Sequence, residues 1–85
     1  MKAKSEKWYV YMLECSDDTL YTGITNDLDK RLHAHNNLKS GAKYTSMRRP
    51  VHLVYSEVCE DKIAAIKREL AVKKMGRKGK LNLIK

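Results

Sequence analysis

From Trp8 to Cys15 the chain is almost continuously aromatic or apolar. Ser16-Asp17-Asp18-Thr19 then supplies turn chemistry, and Leu20 to Thr25 resumes an extended pattern. This predicts a β-hairpin. Asn26 or Asp27 can cap a helix by accepting from its free N–H groups. Leu28, Leu32 and His35 follow at helical spacing and the helix ends near Asn36-Asn37. Residues 38–50 show no clean period and read as a basic loop, of a length that often carries function. Val51, Leu53 and Tyr55 alternate with other residues and predict a third strand reaching Cys59. Asp61 or Glu60 then starts the longest helix, running to about Met75. Ile63, Ile66 and Leu70 form its apolar stripe, with Ala64, Ala65 and Ala71 allowing close approach to the sheet. Gly76 and Gly79 interrupt it, and a short helix from Lys80 to Ile84 returns Leu81, Leu83 and Ile84 to the core. The expected class is α+β, a small three-stranded antiparallel sheet flanked by helices in the order β-β-α-β-α, with one domain over residues 1–85 and an ordered core over about 8–84.

The hairpin carries two tyrosines ten positions apart, Tyr11 and Tyr21. Strand side chains alternate faces, so the parity of the connecting loop decides whether the phenols face together. An odd number of loop residues puts them on one side, and a two-residue turn at Asp17-Asp18 puts them on opposite sides.

Composition narrows the field. A chain of 85 residues can bury roughly 60% of its unfolded surface, enough for a real but small core. The formal charge of +8 is uneven, because Lys67 to Lys85 holds eight basic residues against the single acid Glu69. Such a balance favours an anionic partner, above all nucleic acid. No apolar run approaches the ~20 residues of a membrane span, and no signal peptide follows Met1, so a cytoplasmic location without membrane attachment is expected. Cys15 and Cys59 lack metal-site spacing and are expected as free thiols.

Candidate chemistry gathers around the tyrosines. Arg31 and His35, four residues apart on the first helix, share a flank where a guanidinium and an imidazole can grip one phosphate. Glu69 sits beside the apolar stripe of the long helix. Lys73 at i+4 offers it an ordinary ion pair, whereas a carboxylate facing a phosphate site suits a hard divalent cation.

Tyr9-Val10-Tyr11, Tyr21-Thr22-Gly23, Arg31 and Glu69 together resemble the motifs of the GIY-YIG endonuclease superfamily. The stretches from Tyr21 to Leu28, from Gly41 to Thr45 and Arg48-Arg49-Pro50 are most similar to its small stand-alone bacterial members. Related domains occur in the incision subunit of nucleotide excision repair, in endonucleases for branched DNA and in homing endonucleases. The resemblance implies phosphodiester hydrolysis with one Mg²⁺ or Mn²⁺ held at Glu69. Tyr21 would act on the water, Tyr11 would assist, Arg31 would hold the phosphate, and His35 matches a position often occupied by histidine. Three departures stand out. Tyr9 replaces the glycine of the first motif, Thr22 replaces isoleucine in the second, and Ile24 stands where the excision-repair relatives have lysine. Asn82 is a candidate match for a polar residue that follows the metal site in several relatives.

The expected activity is therefore a metal-dependent nuclease acting on DNA by shape. Lys39, Lys43, Tyr44, Arg48 and Arg49 from the loop, with Lys73, Lys74, Arg77 and Lys78 from the basic tail, are its candidate backbone contacts. A binding module without cleavage on the same scaffold is the alternative. A protein adaptor whose tyrosines only pack the sheet ranks third.

Overall fold

The computed structural model describes residues 7–37 and 43–84. Its elements run β1 (Trp8–Glu14), β2 (Leu20–Thr25), α1 (Leu28–Asn37), α2 (Lys43–Ser46), β3 (His52–Cys59), α3 (Lys62–Lys74) and α4 (Gly76–Ile84). The strands form one antiparallel sheet in the order β2-β1-β3. The expected α+β architecture is present, with helical α2 inside the stretch read as a loop.

Because β1 is central and covered on both sides, it cannot alternate between apolar and polar. Val10, Tyr11, Met12 and Leu13 are all 2% exposed or less, which explains the unbroken apolar run. One core joins Val10 and Met12 to Ala65 and Val72 of α3, closed by Leu83 and Ile84 of α4. The other joins Tyr11, Leu13, Cys15 and Val51 to Tyr21, Leu28 and Leu32. Each full burial of a large apolar side chain contributes ~1.5–3 kcal/mol. Thr22 is buried on the first side, and its Oγ1 has no hydrogen-bond partner among the described residues. Threonine there costs about 1–3 kcal/mol relative to an isosteric apolar side chain. Cys15 and Cys59 are free thiols.

The rotation of α3 differs from the amphipathic reading. Ile63, Ile66 and Leu70 are 67%, 39% and 53% exposed, while Ala65 and Val72 are fully buried. One side-chain contact ties that rotation to β3, through a carboxylate that β3 itself holds in place. Arg68 Nε binds Glu57 of β3 at 3.0 Å, and Tyr55 OH donates to the same carboxylate at 2.6 Å. α4 supplies the large apolar side chains that Ile66 and Leu70 were expected to supply. As expected, Asp61 caps α3, its carboxylate accepting from Ala64 N at 2.8 Å. The last helix is longer than the expected Lys80–Ile84 segment: it starts at Gly76 and runs through Gly79. Gly76 makes the break between α3 and α4 with φ +72°, in the left-handed region open to glycine.

Candidate active site

The hairpin register answers the parity question. Glu14 pairs with Leu20, so five residues, an odd number, fill the loop, and Tyr11 and Tyr21 stand on one face, opposite Gly23 and Leu13 respectively. Asp17 holds the loop by accepting from Thr19 N at 3.2 Å and Thr19 Oγ1 at 2.6 Å, while Asp18 takes φ 67°. The two phenol rings lie 6.4 Å apart between centroids. Gly23 lets this happen, since a Cβ there would stand 2.6 Å from Tyr11 OH. The phenol lies across the glycine of the second motif and reaches α1.

On α1 it meets His35, which is fully buried. Tyr11 OH and His35 Nε2 are 2.8 Å apart, and His35 Nδ1 lies 2.8 Å from Thr45 Oγ1 of α2. The imidazole also packs edge-on against Tyr11 and Tyr21, with centroids at 5.8 and 5.2 Å. Burial first, then the nearby Arg31 and Arg49 charges, push its pKa down to about 4, so the ring is neutral at pH 7. With both nitrogens engaged inside the protein, His35 is not placed to share a phosphate with Arg31. Its place is behind the tyrosines.

Arg31 is half-buried on the same helix. Burial raises the Tyr11 pKa, a hydrogen bond from Arg31 opposes that rise, and negative charge on Tyr21 or Glu69 adds to it. Glu69 therefore lies within electrostatic reach of Tyr11. It falls between the buried Ala65 and Val72 on α3, with its side chain 19% exposed and Lys73 Nζ 3.3 Å away. The ion pair expected from spacing is present. A groove of about 410 Å³ borders the site, lined by Thr25, Asn26, Asp27, Lys30, Arg31, His33 and Ala34.

The described residues contain no cluster of three or more His, Cys, Asp or Glu side chains able to cage a metal. A single carboxylate still fits Mg²⁺ or Mn²⁺, which commonly take one or two protein carboxylates and keep several waters. Glu69 would be the protein ligand, competing with Lys73.

Several basic residues expected on nucleic acid serve the fold. Arg49 Nε donates to His35 O at 2.6 Å, satisfying a carbonyl in the last turn of α1. Arg48 Nε binds Asp17 at 2.9 Å and Arg77 donates to Asp18 O at 2.8 Å, so both clasp the hairpin loop. Lys73, Lys74 and Lys78 are exposed. Lys43 and Tyr44 belong to α2, and Lys39 lies outside the described residues. Asn82 is exposed on α4. Sequence reading missed Thr45, fully buried in a segment without periodicity, and Asn36, which exchanges hydrogen bonds of 3.0 and 2.8 Å with the backbone of Val51.

This arrangement of tyrosines, arginine and glutamate accompanies a match of residues 7–82 to the GIY-YIG catalytic domain. The chain belongs to the GIY-YIG family. That family is one of nucleases, generally using a divalent metal and acting on nucleic acid. A UPF0213 protein of Syntrophus aciditrophicus is 57% identical over 93% of this chain and 91% of its own length. Another, from Staphylococcus saprophyticus, is 49% identical over 93% and 95%. The solution NMR structure of a UPF0213 protein from Bacillus halodurans superposes with a TM-score of 0.58 at 41% identity, covering 92% of this chain and 82% of that one. The chain is thus similar to small stand-alone bacterial members of the family.

Proposed function

We propose that this GIY-YIG protein is an endonuclease that hydrolyses phosphodiester bonds in DNA, with one Mg²⁺ or Mn²⁺ at Glu69. The observation that carries the reading is the meeting of Tyr11, Tyr21 and His35 on one face of the sheet, with the Arg31 and Glu69 charges felt at Tyr11. In-line displacement at phosphorus builds negative charge on the non-bridging and leaving oxygens. The planar Arg31 fork is matched to the former. A bound divalent ion supplies Lewis-acid stabilisation of that charge. Tyr21, less buried than Tyr11, is the phenol we assign to the attacking water. Tyr11, buried and hydrogen-bonded to His35, assists beside Arg31.

Binding would be dominated by phosphate contacts from the exposed Lys73, Lys74 and Lys78 and read shape rather than sequence. The whole chain would act as one domain in the cytoplasm, a compartment suited to its free thiols. One observation favours the alternative of a binding module without cleavage: Lys73 already neutralises Glu69 at 3.3 Å. An i,i+4 helix pair is worth only ~0.3–0.5 kcal/mol, little against a divalent ion.

Nicking of branched and linear DNA in Mg²⁺ or Mn²⁺ tests the reading. Glu69→Ala and Arg31→Ala should each lower cleavage by about 10²-fold or more, and Glu69→Ala should leave DNA affinity largely intact. Cleavage that survives both substitutions, or needs no divalent ion, would overturn it.

A further inference from the structure

Tyr11, His35 and Thr45 form a chain of two buried hydrogen bonds, each 2.8 Å, linking β1 through α1 to α2. Neutral imidazole has one proton for two nitrogens, so the ring donates one of these bonds and accepts the other. The surroundings of the phenol decide which. Tyr11 is 2% exposed, and a buried phenol O–H needs an acceptor. The Nε2 of His35 stands 2.8 Å from the phenol oxygen, so the O–H is directed along that bond. That nitrogen must be bare, which puts the ring proton on Nδ1, facing Thr45 Oγ1.

We propose that Thr45 is a positioning residue whose hydroxyl accepts from His35 Nδ1–H, locking the tautomer whose bare Nε2 accepts a hydrogen bond from the Tyr11 O–H and leaves the phenol lone pairs facing the Arg31 side. In the nuclease reading, on which only the catalytic consequence rests, Tyr11 is thereby held as a neutral acceptor beside Arg31. Activation of water falls to Tyr21. Thr45 also gives α2, within the basic stretch from Lys43 to Arg49, a direct mechanical link to the reacting groups.

Imidazole ¹⁵N NMR on the intact chain at pH 7 tests the assignment without requiring activity. Wild type and Thr45→Ser should show His35 protonated at Nδ1 and bare at Nε2, while Thr45→Val, which keeps shape and loses the acceptor, should show a mixed or reversed pattern. In DNA cleavage, Thr45→Val should lower kcat about 10- to 100-fold with KM little changed, the range seen when an orienting partner is lost. Thr45→Ser should restore it. A wild-type ring protonated at Nε2, or an unchanged tautomer in Thr45→Val, would overturn the proposal. The NMR result decides this even if the wild-type protein cuts nothing, an outcome that would count only against the nuclease reading.

Discussion

Gly23 shows how one missing side chain shapes the site. Its hydrogen occupies the space over which the Tyr11 ring passes, with a hypothetical Cβ only 2.6 Å from the phenol oxygen. Gly23→Ala should therefore push Tyr11 off the 2.8 Å bond to His35. We expect a loss of about 1–3 kcal/mol in urea unfolding, typical of overpacking, together with impaired cleavage. Unchanged stability and activity would mean that the ring moves aside without consequence. The tyrosines, Arg31 and Glu69 could be proposed from the sequence because together they resemble the motifs of a known family. Thr45 was not, since a threonine in an aperiodic basic stretch carries no mark of being fully buried against a histidine ten residues earlier.

Among the elements, α3 shows where periodicity misleads. Its helix offers two candidate inward faces, the large one at Ile63, Ile66 and Leu70 and the small one at Ala65 and Val72, and the small one is buried. Small residues bring a helix axis close to a sheet, while Arg68 and Glu57 fix its rotation and α4 fills the remaining space with Leu83 and Ile84. The energetics should follow the observed faces. Val72→Ala should destabilise the protein by about 1–3 kcal/mol in denaturant unfolding, and Ile63→Ala by about 0.5 kcal/mol or less. The reverse order would contradict this packing. By contrast, the Asp61 cap and the Ser16-Asp17-Asp18-Thr19 turn were readable in advance, because their hydrogen bonds close within a few residues.

At the scale of the molecule, the buried His35 couples stability to pH. Its pKa of about 4 in the folded state lies below the ordinary 6.5, chiefly through burial. Between these values the unfolded chain binds a proton that the folded chain does not. Stability from this group is fully present above about pH 6.5 and is lost as pH falls toward 4, by an amount on the order of 3 kcal/mol. Urea unfolding at pH 7, 6 and 5 should show the decline, and His35→Asn should flatten it; an equally steep decline in the variant would assign it to other groups. The basic surface tells a similar whole-molecule story, since Arg48, Arg49 and Arg77 make hydrogen bonds to parts of the fold distant in sequence. The sequence by itself determined the order of the strands and of the helices other than α2, the turn and cap chemistry, the chemical types proposed for the site and the parity condition on the hairpin, because all of these arise within one strand, one helix or one turn. Only the tertiary structure decided that Tyr11 and Tyr21 face together, that α3 turns Ala65 inward, that His35 is buried behind the tyrosines and that Thr45 completes the chain. Those outcomes depend on packing between segments such as β1 and α1, whose contacting residues are 24 positions apart, and no local period encodes that docking.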